Sequence, residues 1–288
     1  MASAITILLD GLAYGMVLFI ISVGLTITMG LMRVVNLAHG GFAMAGGYIA
    51  AMAVSAGVPF LVAALLGAAA AGALGAVAEM TIFRPLYRKG ELAQVLMTFG
   101  LTFMVIAALT AIFGTNIRPL PLPEALSGNV DLGFRFYPAY RLFLIGVGLA
   151  LAIVLWFVIE RSLFGARLRA AVDNPRMARA VGIDVDRLFT ATFVMGCALA
   201  GFGGVIGAEL LPLEPFYALR YLVIFLVVVT VGGLGSFKGS LAAAIVLGLI
   251  DTAGKFLFPD FAAFLLFGLV FLLLLWRPNG ILPPKSAA

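Results

Sequence analysis

Long apolar stretches without charged residues dominate the sequence and predict membrane-spanning helices. A helix needs about 20 apolar residues to cross the hydrocarbon core of a bilayer. Charge-free stretches run from Gly11 to Met32 and from Val34 to Ala78, and the second has room for two spans with a turn at 55–59. The remaining apolar segments are Leu92–Ile117, Leu142–Ile159, Leu188–Ala208, Tyr221–Val231, Leu241–Ile250 and Phe261–Trp276. The pattern therefore predicts an all-α, polytopic integral membrane protein with about eight transmembrane helices, or about nine if every segment crosses.

One of these segments, Tyr221–Val231, is short for a complete crossing. It fits either a tilted span or a re-entrant half-helix, which is tolerated at membrane depth where protein buries it. No long polar insertion interrupts the chain, so residues 1–288 are predicted to form a single transmembrane domain.

Composition supports this interpretation and excludes other classes of protein. Of the 288 residues 64% are hydrophobic, while 18 are basic and 13 acidic. Soluble domains contain about 45–50% apolar and about 25% charged residues. A water-soluble globule, a disordered chain and a nucleic-acid-binding domain are therefore excluded. The single cysteine, Cys197, and the single histidine, His39, leave no disulfide and no two-histidine metal site, so neither a metal nor a cofactor is expected.

The distribution of basic residues predicts the orientation of the chain. Residues 161–187 contain six arginines against three aspartates, and residues 84–91 contain three basic residues against one acidic residue. Residues 115–139 contain two of each sign. Cytoplasmic loops carry an excess of lysine and arginine. The first two loops are therefore predicted to be cytoplasmic and the third external.

The predicted cytoplasmic loop Arg161–Arg187 has the pattern of two short amphipathic helices. Leu168 lies on the apolar face of the first. The two helices separate at Asn174 and Pro175, because a residue before proline disfavours the helical conformation. Either Asn174 or its neighbour Asp173 is predicted to cap the second helix, and Pro175 suits its first turn.

The second helix of this loop carries Met177 and Ala178 on its apolar side and ends at Gly182, a residue type common at helix C-termini. Two interpretations fit such a loop. It lies on anionic membrane lipid as an interfacial element, or it docks a soluble partner, with methionine and small residues entering a groove of that partner.

Polar residues interrupt the apolar pattern after the first predicted span, at Asn36 and His39. Polar groups at membrane depth are expensive and persist where they pair or line a cavity. The following Gly40 and Gly41 permit a helix break, whose free N–H groups would face a solute or a partner subunit. The alternative is that Asn36 and His39 only hydrogen-bond the loop between two spans.

A glycine-rich segment near residue 235 predicts a tight turn or a helix-packing site. It does not have the spacing of a phosphate-binding loop, since Lys238 precedes Gly239 and no strand leads into it. The residues assigned to the turn or packing site are Gly232, Gly233, Gly235 and Ser236.

Two further classes of function, a secondary carrier and an intramembrane hydrolase, fit the sequence less well. A secondary carrier needs membrane-embedded carboxylates for ion coupling, and the few present have ordinary ion-pair partners, such as Arg84 for Glu79. An intramembrane hydrolase would use Ser236 as nucleophile and His39 as base, but no GxSxG motif occurs. No residue is therefore assigned a catalytic role.

Four segments resemble one known family. The run Gly30-Leu31-Met32-Arg33-Val34-Val35-Asn36-Leu37-Ala38-His39-Gly40 resembles the Asn-Leu-Ala-His-Gly signature of the inner-membrane permeases of branched-chain amino acid ABC importers. Residues 165–183, with GARLRA, DNP and VGI, resemble the cytoplasmic loop of that family. The segments VGGLGS at 231–236 and RPNGIL at 277–282 also fit. The resemblance spans nearly the whole chain and is greatest to the permease type with the histidine motif.

The resemblance implies a transport subunit rather than an enzyme, located in the bacterial inner membrane. It implies that branched-chain or related amino acids enter the cytoplasm while partner subunits hydrolyse ATP. The implied partners are a second homologous permease, two ATP-binding subunits and a periplasmic solute-binding protein. The loop 161–187 would couple to the ATPases, although no Glu-Ala-Ala precedes Gly182 as in the loops of other importers. The implied coupling residues are Leu168, Arg169, Asn174, Pro175, Met177, Ala178 and Gly182.

Overall fold

The computed structural model of the protein describes residues 2–32, 34–87, 89–131, 133 and 136–282, and Arg33 of the histidine motif lies outside them. The α-helices in chain order are α1 (Ala2–Thr26), α2 (His39–Ser55), α3 (Phe60–Ala78), α4 (Arg84–Leu86), α5 (Glu91–Phe113), α6 (Glu124–Ser127), α7 (Ala139–Trp156), α8 (Leu163–Asp173), α9 (Pro175–Ala180), α10 (Val185–Ile206), α11 (Tyr217–Arg220), α12 (Leu222–Gly232), α13 (Phe237–Leu257) and α14 (Ala262–Trp276). π-Helical turns extend three of them, at Ile27–Leu31, Glu79–Phe83 and Phe157–Arg161, and a 3₁₀ turn, Pro259–Phe261, precedes α14.

The prediction of an all-α polytopic protein is confirmed. Among the described residues, seven helices are long and apolar enough to cross a membrane, and they contain α1, α3, α5, α7, α10, α13 and α14. The predicted count of eight or nine included α2 and α12, which are shorter. The 11 residues of α12 span only about 16 Å, against about 30 Å of hydrocarbon.

The two central helices, α1 and α10, each pack mainly against helices from the other half of the chain. Helix α1 packs along α12 and α13, α10 packs along α2 and α3, and α1 and α10 contact each other. Apolar surface gives little driving force between helices in lipid, so close backbone packing at small residues replaces it. At the crossing of α2, α3 and α10, Gly46, Gly67 and Gly201 lie so close together that a Cβ on any of them would meet the neighbouring backbone.

The bundle has two distinct ends. We call the end with α8 and α9 the loop end, and the end with the strands β1 (Asn129–Asp131) and β2 (Phe136–Pro138) the hairpin end. The loops 84–91 and 161–187 were predicted on one side, and they share the loop end, where Arg84 donates to the hydroxyl of Thr190 at 2.7 Å.

At the hairpin end, the loop between α5 and α7, which was predicted to be external, contains regular structure. It includes α6 and β1, which pairs antiparallel with β2. Tyr137 of β2 donates a hydrogen bond of 2.6 Å to Asp10, which also pairs with Arg141 of α7. The hairpin is therefore fastened to the first helix and to α7.

Candidate functional site

The polar motif after α1 turns back into the interior of the bundle. His39, the first residue of α2, is fully buried, and its Nε2 lies 2.8 Å from the carbonyl oxygen of Ile21. Because a carbonyl only accepts, Nε2 carries the proton. Ile21 lies about 15 Å from the end of the extended α1 at Leu31, so α2 begins deep within the protein.

Asn36 and His39 also present polar atoms without hydrogen bonds to the described residues. Asn36 is fully buried, and neither its Nδ2 nor its Oδ1 has a partner there. Nδ1 of His39 is also buried and has no hydrogen-bond partner among the described residues. Of the adjacent glycines, Gly40 packs against the backbone of Ala218 in α11, and Gly41 faces the side chain of Val105 in α5. These four predicted residues therefore lie together inside the bundle.

A polar stripe on α5 holds this segment in place, and the sequence reasoning missed it. Gln94 accepts a hydrogen bond of 3.1 Å from the backbone of Val35, and the hydroxyl of Thr102 lies 3.3 Å from the carbonyl of Leu37. Thr98 lies between them, fully buried on the same face. The signal was available, because Gln94, Thr98 and Thr102 recur every four residues in an otherwise apolar span.

The glycine-rich segment forms the turn between α12 and α13 at the loop end. Gly233 and Gly235 have φ values of +98° and +80°, a region that side chains with a Cβ rarely adopt. The hydroxyl of Ser236 accepts from the backbone N–H of Gly239 at 3.1 Å and caps α13. Gly232 packs on the backbone of the same first turn.

Segments far apart in the sequence meet at this turn. Gly235 lies against the backbone of Gly30 at the end of α1, and Gly280 lies against Gly233. The backbone N–H of Ile281 donates to the carbonyl of Val231 at 2.7 Å. Three of the four segments that carry the family resemblance are thus in contact, and the π-helical turn of α1 also touches α8 of the fourth.

The loop 161–187 folds as two short helices, α8 and α9, as predicted. Of the two candidate caps the structure selects Asn174, whose Oδ1 accepts from the backbone of Met177 at 3.0 Å. Pro175 occupies the first turn of α9, and Gly182 follows its end with φ +86°. The guanidinium of Arg169 donates to the carbonyl oxygen of Ile159 at 2.6 Å and ties α8 to the π-helical turn after α7.

The predicted coupling residues separate into a buried and an exposed set. Leu168 and Ala178 are both buried, and Ala178 packs with Ala171 of α8 and Val185 of α10 in the apolar core of the loop. Met177 is 61% exposed, and Val181 is also exposed beside a surface groove that includes Arg167 and Arg187. Only the exposed set is available to another protein.

Ser236 and His39, the two residues of the hydrolase alternative, each make a structural hydrogen bond instead. Ser236 caps α13, and His39 bonds the carbonyl of Ile21 within the bundle. In the described part of the chain, no group of three or more histidine, cysteine, aspartate or glutamate side chains is placed to hold a metal ion.

A family model described as "Branched-chain amino acid transport system / permease component" matches residues 7–275. The chain belongs to this family. The permease is similar to the high-affinity branched-chain amino acid transport system permease protein BraD of Pseudomonas aeruginosa, with 28% identity over 96% of this chain and 94% of the relative.

Two permease proteins of the Escherichia coli high-affinity branched-chain amino acid transport system also match. LivH is 26% identical over 95% of this chain and 93% of its own length. LivM is 29% identical over 93% of this chain but 68% of its own length. The solved structure of PsaBC from Streptococcus pneumoniae in complex with Fab has 16% identity and a TM-score of 0.52, covering 96% of this chain and 92% of that chain, which indicates a shared fold.

These relatives confirm the family resemblance and its main consequences. The permease is a transport subunit and not an enzyme. With its seven apolar helices it is a multi-pass protein of the bacterial inner membrane. One transport system in Escherichia coli has two different permease proteins of this kind, which supports a partner permease.

Substituting His39 by alanine is expected to destabilise the purified permease by about 1–3 kcal/mol, because the buried hydrogen bond to Ile21 is lost. His39→Gln can retain a donor and should lose less than half as much. Thermal unfolding in a mild detergent measures both variants. Equal losses in the two would contradict the role of the hydrogen bond and assign the effect to packing of the ring.

Proposed function

We propose that the permease is the membrane subunit of an ABC importer that moves branched-chain or related amino acids into the cytoplasm. The family description and the names of the relatives support this substrate class. The proposed assembly contains a second homologous permease, two ATP-binding subunits and a periplasmic solute-binding protein. The sequence has no phosphate-binding loop of its own, in agreement with ATP hydrolysis by partners.

The observation that carries the coupling part of the proposal is the exposed apolar surface of α8 and α9. Leu163, Met177 and Val181 are 74%, 61% and 70% exposed, although the loop keeps an apolar core of its own. The adjacent groove carries Arg167 and Arg187. An ATPase subunit with an apolar cleft and an acidic rim fits this surface, by charge complementarity and by insertion of a helix into a groove.

The solute path is proposed to pass the start of α2. Asn36 and His39 offer unpartnered polar atoms there, and the first N–H groups of a helix lack intrahelical acceptors. These groups suit the carboxylate and ammonium of an amino acid, and the surrounding apolar residues suit a branched side chain. Both polar residues are buried, so the path opens only when the surrounding helices move.

The proposed function predicts a defined complex and a defined activity. The permease, extracted gently from its native membrane, should be recovered with a second permease and with ATPases that carry phosphate-binding loops. Reconstituted with the binding protein, the complex should take up radiolabelled leucine only when ATP is present inside. A homo-oligomer that transports without ATP would contradict the proposal and favour a secondary carrier.

A further inference from the structure

A buried carboxylate joins three segments at the loop end. Glu79, in the π-helical turn after α3, is completely buried. Its Oε2 lies 3.2 Å from Nη2 of Arg84 and 2.8 Å from the hydroxyl of Thr190, and its Oε1 accepts from the hydroxyl of Tyr87 at 3.0 Å. The sequence suggested only an ordinary ion pair with Arg84 at the end of a span. The structure adds the contact with α10.

Each of the three groups around Glu79 donates a hydrogen bond to its carboxylate. Burial raises the pKa of the Tyr87 hydroxyl above its ordinary value, and the charge of Glu79 raises it further. A raised tyrosine pKa keeps the hydroxyl protonated at neutral pH, so it remains a donor. A charged side chain in a membrane helix is expensive and marks function when it is paired inside the protein.

A polar chain leads from this carboxylate to the coupling loop. The hydroxyl of Thr190 also lies 3.0 Å from the carbonyl oxygen of Asp186, in the first turn of α10. The carboxylate of Asp186 accepts from Arg179 of α9 at 2.9 Å. Arg84 bonds both Glu79 and Thr190. Thr190 and Asp186 of α10 therefore lie between the carboxylate of Glu79 and Arg179 of α9.

An aromatic contact extends the connection to α2. Phe83 belongs to the same π-helical turn as Glu79, is buried, and stacks on Phe193 of α10 with ring centroids 4.6 Å apart. Phe193 in turn meets Phe42 of α2 edge to face at 6.2 Å. Phe42 lies one turn beyond His39. The end of α3 thus contacts α10 directly and reaches α2 only through Phe193.

Three π-helical turns lie at this end, and each touches an element of the loop region. Ile27–Leu31 contacts α8 and α10, Glu79–Phe83 contacts α10, and Phe157–Arg161 contacts α8. π-Helical turns interrupt the regular hydrogen bonding of a helix and occur frequently at functional sites. Of the two glutamates in these turns, Glu160 is exposed and Glu79 is buried.

From this geometry we infer that Glu79 is a positioning residue for transport: it fixes the base of the coupling loop to α3 through Thr190, so that movement of the loop reaches the helices beside Asn36 and His39. The inference rests on the proposed function, and it adds the residue through which ATP hydrolysis by the partners is linked to opening of the path.

The test is the ratio of leucine taken up to ATP hydrolysed by the complete reconstituted complex with its binding protein. Glu79→Gln removes the charge and turns an amide N–H toward donors, so the ratio should fall about tenfold while ATP hydrolysis changes by less than about twofold. Thr190→Val keeps the pair of Glu79 with Arg84 and removes only the tie to α10. It should lower the ratio about threefold.

Two controls separate this role from general damage. Glu91→Gln changes an exposed carboxylate at the same end of the bundle and should leave the ratio unchanged. The double variant of Glu79→Gln with Thr190→Val should lower the ratio by less than the product of the two single effects, because both changes act on the same group of contacts.

Unchanged ratios in both single variants would overturn the inference. If Glu79→Gln does not accumulate in the membrane, Thr190→Val decides alone: a lowered ratio supports the inference and a normal ratio overturns it. Absence of ATP-dependent uptake by the unaltered complex would instead contradict the proposed function, and the inference with it.

Discussion

Replacing Gly30 by alanine is expected to prevent accumulation of the folded permease. A Cβ on Gly30 would overlap the backbone of Gly235 in the turn between α12 and α13. That turn has little freedom to move, since Gly235 is held at φ +80° and Ser236 caps the following helix. The overlap involves backbone on both sides, so the cost should exceed the about 1–3 kcal/mol typical of an overpacked side chain.

Recovery of monodisperse protein in a mild detergent, followed by thermal unfolding, measures this effect. Gly100→Ala and Gly268→Ala are matched controls, because both glycines are helical and a Cβ on either would meet no atom within 4 Å. Alanine is a better helix former than glycine by about 1 kcal/mol, so these controls should be at least as stable as the unaltered chain. Normal recovery of Gly30→Ala would refute the close contact between α1 and the turn.

Replacing Met177 by aspartate is expected to release the ATPase subunits from the complex while leaving the permease folded. Met177 is 61% exposed on α9, whereas Ala171 and Ala178 belong to the buried core of the loop. A charge at the centre of an apolar contact costs more than about 2 kcal/mol of binding, which corresponds to at least about a thirtyfold weaker complex. The ATPase that co-elutes per permease measures the loss.

Two companion variants make this result specific. Met177→Leu keeps an apolar side chain of similar size and should retain the ATPase. Ala178→Asp places a charge in the core of the loop and should also lower the thermal stability of the permease itself, which Met177→Asp should not. Full retention of ATPase by Met177→Asp would show that this face of α9 is not the docking surface.

Features that depend on neighbouring residues were predictable from the sequence. The apolar segments gave the long helices, with α10 at Val185–Ile206 against the predicted Leu188–Ala208. The break at Pro175 and the glycine at the end of α9 were also correct. The ion pair of Asp251 with Lys255 forms at 2.6 Å, as their spacing of four residues along a helix indicates. Each of these depends on hydropathy or on local backbone preference.

Contacts between residues that are distant in the sequence were not predicted from the sequence pattern. Nothing in the pattern of residues 34–55 shows that α2 starts next to Ile21, deep in the bundle, because that depth follows from the packing of α2 on α3 and α10 and, to a lesser extent, on α5 and α11. The same holds for the hairpin at 129–138, which is fastened to Asp10 of α1.

Hydropathy, charge pattern and family motifs were enough to predict an all-α membrane protein of the permease family, with a basic two-helix loop at one end. Hydropathy and charge settle such properties because the bilayer acts on each segment separately. The folded chain was needed to show that Gly30 meets Gly235, that Leu168 and Ala178 are buried, and that Glu79 is joined to α10 through Thr190. These depend on how close helices approach, which small residues on two helices decide together.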